Sequence, residues 1–465
     1  MSFVIYDLTF LVLFTLAVVL FLYRKRDNLK RQGVMYLYRT RVGLKIIDWT
    51  STKFGKILKP LQYVVITSGY LLMVVMIWML VKFTYIYSRF DVVKQLKIPP
   101  VLPLFPYATD LFKVDFLPPF YFTYWILIIA IIAVSHEFAH GIFARLNNIK
   151  VHSTGFGFLG PFLAAFVEPD EKQMQKASKF KQLSILAAGT FANVIMTILF
   201  GIIMTLFFVA SFSPAGVNFN AYPQAIVDVG MIASVGGFAV TNLSAIHLEG
   251  TNLTTITANN TTYLIPENNL KQAIDLHVAQ VVVFENAPAV ESGLKGPIME
   301  IDGVPVMSLD ELKNEINSHA PGEEITIKAF EDKQIKTYDL KLGDKEGKPY
   351  LGVGFRDASP SGISGVIYSA ISKIKDPTVY YAPNWNSDFA LFIYNFLWWT
   401  VMINISVALV NMLPVGIFDG GRFFYLTIWG ITGKEKLARK SFSVATYLIL
   451  AIVVWLMVRW FFGII

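Results

Sequence analysis

Residues 133–147 read AVSHEFAHGIFARLN and close an apolar stretch that begins near residue 117. A helix turns 100° per residue, so His136 and His140 stack on one face about 6 Å apart, with Glu137 beside the first of them. Ionisable groups at membrane depth cost several kcal/mol each and read first as functional. The plain alternative is a polar end to a membrane span, with both histidines facing headgroups. Which reading holds decides the fold, because it fixes whether the chain is built around this helix.

Composition places the helix in a membrane. Of 465 residues, 54% are hydrophobic and 15% aromatic, while only 16% are charged. Soluble domains carry fewer apolar and more charged residues. Apolar runs of about 20 residues mark spans, and six are expected, at 3–23, 61–87, 117–143, 183–210, 389–415 and 443–463. The first has Asp7 rather than a basic residue on its N-terminal side, and RKRDNLKR follows it at 24–31. It reads as a signal anchor with its N-terminus outside.

Loop charges set the expected topology. Segment 24–59 holds eleven Lys/Arg against Asp27 and Asp48, so it is expected in the cytoplasm. Alternation puts the basic segments 144–182 and 416–442 on the same side. Segment 211–388 is then outside, with twelve basic and twenty-one acidic residues, net −9, leaving +16 for the remainder of a chain whose total is +7. The high pI is therefore a topology signal and not a nucleic-acid footprint. Asn242, Asn252, Asn259 and Asn260 each open an N-x-[ST] sequon in the outer segment, where glycosylation and a plain Ser/Thr/Asn-rich loop both stay open.

The chemistry is constrained by what is missing. The chain has no cysteine, which excludes disulfides, thiolate metal sites and cysteine nucleophiles together. A metal site must use histidine and carboxylate. His136 and His140 suit one tetrahedral zinc ion, and Glu137 stands where H-E-x-x-H zinc enzymes hold their general base. Two histidines leave the ion short of a third protein ligand. Asp419, in NMLPVGIFDGGRFF (411–424), follows the fifth span and falls near the same membrane depth. Glu168, 28 residues after His140, is the rival, and an Asp-Gly-Gly turn that merely stops a helix is the plain reading of Asp419.

At these residues the chain resembles the site-2 protease family of intramembrane zinc metalloproteases. The family's H-E-x-x-H appears as His136-Glu137-Phe138-Ala139-His140, and its N-x-x-P-x-x-x-L-D-G motif as Asn411 to Gly420. AAGTFANV at 187–194 is similar to a third element, small residues before an asparagine. The departures are Phe418 for leucine and Thr190 for proline. The resemblance covers roughly 117–210 and 389–430, and leaves spans one, two and six unexplained. It implies one catalytic Zn2+ on His136, His140 and Asp419, with Glu137 as general base and Asn411 and Asn193 toward the substrate backbone or oxyanion. It also implies that GFGFLGPFLAAFVEPDE (155–171) forms a re-entrant β-hairpin that pairs with the substrate as an added strand.

The outer segment has its own pattern. VVVFENAPAVESGLKGPIMEIDGVPVMSLDELKNEI (281–316) reads as strand, short helix, strand–turn–strand at Asp302-Gly303, then an amphipathic helix. GEEITIKAFEDKQIKTYDLKL (322–342) adds two alternating strands. Together they resemble a PDZ domain of the kind found in prokaryotic proteases, over about 278–345, with YLGVGF (350–355) as a possible addition. Segment 211–277 is left open between a partial PDZ-like repeat and strands beneath the domain. His152, His247, His277 and His319 read as surface histidines.

The expected whole is a polytopic α-helical membrane protein with an inserted extracytoplasmic PDZ-like α+β domain. Its parts are two N-terminal spans with a basic loop (1–116), a protease core (117–210), the outer region (211–388), a core span with the aspartate motif (389–430) and a last span (431–465). The zinc site is expected toward the cytoplasmic side of a cell membrane. The expected substrate is a single-span membrane protein already trimmed outside by another protease, its extended C-terminus offered to the PDZ-like domain. A membrane zinc peptidase acting on soluble or lipidated peptides, and a non-enzymatic PDZ-bearing scaffold or transporter, remain as alternatives.

Overall fold

The computed structural model describes residues 3–33, 35–89, 99–114, 116–159, 162–240, 252–276, 278–355 and 363–464. Asn242, His247, His277 and the 160–161 tip of the expected hairpin lie outside the described residues. The chain divides into two compact units, Met1–Phe207 with Leu391–Ile465, and Phe208–Ala390.

Six helices in the described residues are long and apolar enough to cross a membrane. They are α1 (Phe3–Arg24), α3 (Gly55–Arg89), α4 (Phe122–Leu146), α5 (Lys179–Ser211), α8 (Ser387–Asn411) and α10 (Glu435–Ile464). This makes the chain a multi-pass integral membrane protein. All six expected spans are present, with shifted ends. The third starts at 122, just past the prolines at 118 and 119. The fifth stops at Asn411, three residues before Pro414, whose ring would clash with the preceding turn of a continuing helix.

Asp7 explains one of those starts. It is buried in α1, and its carboxylate accepts the N–H groups of Phe122 and Thr123 at 2.7 and 2.9 Å, together with the hydroxyls of Thr123 and Tyr107. The first turn of α4 has unpaired N–H groups and the positive end of the helix dipole. An acid from another helix caps it, so the first span holds the helix that carries HEFAH.

The basic loop after α1 is more ordered than its charge suggests. Strands β1 (Leu29–Gln32) and β2 (Met35–Thr40) extend a hairpin of β3 (Val151–Leu159) and β4 (Phe162–Pro169) into an antiparallel sheet ordered β1-β2-β3-β4. Helix α2 (Leu44–Lys53) follows and lies on α4, with Ile47 against Gly141 and Asp48 paired to Arg145 at 2.7 Å. The core of this unit joins Val65 and Leu72 of α3, Phe143 and Ala144 of α4, and Ile185 and Ala188 of α5. Ala408 of α8 and Phe423 of α9 (Asp419–Thr432) complete it. The second span is therefore part of this unit's core and not an appendage.

In the other unit, one sheet is ordered β6-β11-β10-β9-β7-β8, from β6 (Gln224–Asp228), β7 (Ile232–Val235), β8 (Phe238–Ala239), β9 (Leu253–Ala258), β10 (Thr261–Pro266) and β11 (Gln280–Glu285). Helix α6 (Glu267–Asp275) covers it through Leu270 and Ala273. The second sheet takes β12 (Ile298–Ile301), β14 (Glu324–Glu331) and β15 (Gln334–Lys341), with β13 (Val304–Pro305) paired to β12 and helix α7 (Leu309–Ser318) packed on its core. It also takes β5 (Phe212–Val217) and a last strand, Val379–Pro383, from outside 278–345. The segment left open in the sequence is thus half of a folded unit. Residues 253–285 and 298–331 repeat one order, strand, tight turn, strand, helix, strand. Both turns need positive φ, at Asn259-Asn260 (52° and 60°) and Asp302-Gly303 (46° and 84°).

Candidate metal centre

HEFAH lies in the C-terminal half of α4, about four turns beyond its Asp7 cap. His136 is buried and its Nε2 stands 3.0 Å from Nε2 of His140. Asp419 opens α9, and its Oδ2 lies 3.1 Å from His136 Nε2 and 3.3 Å from His140 Nε2. Tetrahedral zinc with bonds of about 2.0–2.1 Å separates its donors by roughly 3.3 Å. The three atoms therefore match one small cation.

The surroundings fix the ring faces. His140 Nδ1–H donates to the Ile185 carbonyl at 2.7 Å, which leaves Nε2 with a bare lone pair. The Asn193 amide meets His136 Nδ1 at 3.1 Å, with Nδ2 toward the ring and Oδ1 buried without a partner. The opposite setting of that amide brings Oδ1 to an Nδ1–H, satisfies the oxygen and again bares Nε2. Both settings put Asn193 on a ligand ring. In the structure its amide contact is with His136.

Three glycines let the elements close. A Cβ on Gly189 of α5 would stand 2.6 Å from His136 Nε2 and nearer still to His140 Nε2, in the space between the ligands. Cβ atoms on Gly420 and Gly421 would strike the backbone of Met412, Leu413 and Val415. The Asp-Gly-Gly run is thus not a simple helix stop. Its bare backbone lets α9 fold against the chain leaving α8, and this turns Asp419 back to α4. Sequence reasoning weighed Asp419 and Asn193 but gave no role to Gly189, although it lies in AAGTFANV.

The rival ligand is engaged elsewhere. Glu168 of β4 accepts the Ser153 hydroxyl at 2.6 Å and a two-pronged contact from Arg39 of β2 at 2.9 and 3.0 Å. The Ser153 bond and, against the desolvation, the Arg39 guanidinium hold its carboxyl below the usual range. Asn411 ends α8, half-buried. Glu137 projects to β4, where its Oε2 accepts the Val167 N–H at 3.0 Å. His152 is half-exposed beside Asp170, as expected of a surface histidine. His319 departs from that expectation. Its side chain is 12% exposed, among Asp302, Glu315 and Glu323.

The model of peptidase family M50 matches residues 124–456, most of the chain and all three ligands. The chain belongs to that family. An uncharacterized protein of Methanocaldococcus jannaschii is 28% identical over 411 residues, 87% of this chain and 80% of the relative. The zinc metalloprotease RasP of Shouchella clausii is 25% identical over 202 residues, 37% of this chain and 48% of RasP. The M50 chain is accordingly a membrane metalloprotease of the site-2 type, in a family that implies zinc. The family match begins at 124, so α1, the β1–β2 hairpin, α2 and α3 lie outside it.

Proposed function

We propose that the chain hydrolyses a peptide bond within the transmembrane segment of single-span membrane proteins, using zinc held by His136, His140 and Asp419. One observation carries the reading. Three metal-ligating atoms, two of them on a helix that is itself a membrane span, converge within bonding range of one cation. Zinc bound there would supply Lewis acidity toward the scissile carbonyl and lower the pKa of a water. Glu137 takes the proton of the attacking water and delivers it to the leaving amine. Ile185 and Asn193 keep the two imidazoles oriented, and Asn411 binds substrate backbone near the scissile bond.

A transmembrane helix hides its carbonyls in internal hydrogen bonds, so it must unwind before hydrolysis. The one-sided strand β4, in the hairpin anticipated for strand addition, supports docking of the unwound segment by main-chain bonds. The loop charges support a cytoplasmic zinc site and an extracytoplasmic 208–390 unit. The strand–turn–strand–helix–strand order there supports a PDZ-like module that takes an extended C-terminus left by an earlier cleavage. A labelled C-terminal peptide whose anisotropy is unmoved by the full chain would remove that last element.

The test of the reaction is Glu137→Gln in vesicles with a single-span substrate. Zinc content and thermal unfolding are expected to match wild type while cleavage is lost, because the glutamate is no ligand. Substantial turnover by this variant defeats the assignment.

A further inference from the structure

Glu137 has a partner that the reaction does not call for. Its Oε2 holds the Val167 N–H of β4. β4 has a strand neighbour, β3, on one side only, so this N–H points to the unpaired side. Strand alternation turns the N–H and C=O of Ala165 and Leu163 the same way. Glu137 is therefore bonded to one rung of an open ladder. A cavity of about 350 Å³ lies beside the strand, lined by Leu37 and Arg39 of β2, Gly157 of β3, and Ala164, Phe166 and Val167 of β4.

We propose that the Val167 N–H is a shared donor. In the free protein it holds Glu137; once a substrate extends the sheet along β4, a substrate carbonyl takes the N–H and the carboxylate is released to act on water. This rests on the reading above that substrate adds to β4 as a strand. One N–H directs a single good bond, so the carboxylate and the carbonyl compete for it. The carboxylate wins alone, because a charged acceptor outweighs a neutral one. A docked strand wins together, because bonds at Ala165 and Leu163 bring the third carbonyl to the N–H. A helical segment has no free carbonyl to offer, so it leaves the base held. Unwinding and activation of the base then become one event, and short chains that pass the zinc site without reaching β4 are cut slowly.

Amide-to-ester replacement tests this in the zinc-loaded full chain in vesicles. An ester at 167 (valine replaced by 2-hydroxyisovalerate) deletes the donor and keeps the side chain, and an ester at 165 deletes a rung that Glu137 does not use. Two substrates are compared, a transmembrane segment and a short peptide with the same scissile bond that cannot reach Ala165. The 165 ester is expected to raise KM for the transmembrane substrate about 2- to 10-fold, the worth of one backbone bond, with no change for the peptide. The 167 ester is expected to raise that KM similarly and also to raise kcat/KM for the peptide by about 2- to 10-fold. If the 167 ester lowers peptide turnover, the bond orients the base productively and the proposal is overturned. If the two esters behave alike, the donor is not shared. A 165 ester with unchanged KM, in a protein that still cleaves, removes strand addition itself; a wild-type protein that cuts no transmembrane segment instead removes the proposed reaction.

Discussion

Gly189→Ala separates metal binding from folding in a way the structure makes quantitative. The added methyl would stand 2.6 Å from both Cε1 and Nε2 of His136, and closer to His140 Nε2. Carbon–nitrogen contact needs roughly 3.4 Å, so the rings or α5 must give way by at least about 0.8 Å. Metal sites tolerate only about 0.2 Å in their distances. Overpacking of this kind costs about 1–3 kcal/mol, which as lost zinc affinity is a factor of about 5 to 150. The helix itself responds the other way. Gly189 is interior to α5, where alanine is favoured over glycine by about 0.5–1 kcal/mol. The metal-free rings meet the same methyl, so this gain offsets only part of the overpacking; metal-free Gly189→Ala is expected to unfold near or slightly below metal-free wild type, while its zinc affinity falls. Chelator competition in detergent measures the first quantity and thermal unfolding with and without zinc the second. An unchanged zinc affinity would refute the argument that the bare Cα borders the ion. A metal-free protein that unfolds much earlier would show that the methyl breaks the packing of the spans instead.

Asp419→Ala is expected to abolish stoichiometric zinc, whereas Glu168→Ala keeps it, since Glu168 is spent on Arg39 and Ser153; metal analysis of both purified variants decides between the two carboxylates. Orientation is checked by single cysteines in a chain that has none of its own. Asn259→Cys, at an exposed turn, is expected to react with an impermeant thiol reagent on intact cells and Lys30→Cys only after lysis, and the reverse pattern would place the zinc site toward the outside.

Local sequence carried the parts of this protein that depend on local periodicity. A run of about 20 apolar residues has one solution in a bilayer, so six spans were legible, and helical spacing alone put His136 and His140 together. The type I′ turn at Asp302-Gly303 was legible too, because its dihedrals demand those residues. What chain order could not decide was pairing across distance. β1 and β2 are short strands in a basic loop, and β2 is placed by bonding to β3, more than a hundred residues on, with β1 added beside it. Asp7 looked like a flanking charge, and only folding brings it to the first turn of α4. The end of the fifth span is set ahead of Pro414, which hydropathy does not weigh. As sequence, Asp419 was the leading claimant for the third ligand and Glu168 its rival. The structure parts them because Gly420 and Gly421 let one return to the histidines, while Arg39 and Ser153 hold the other on the sheet. The spans follow from a chain meeting a solvent; the metal centre follows from three segments meeting each other, and no single segment encodes that.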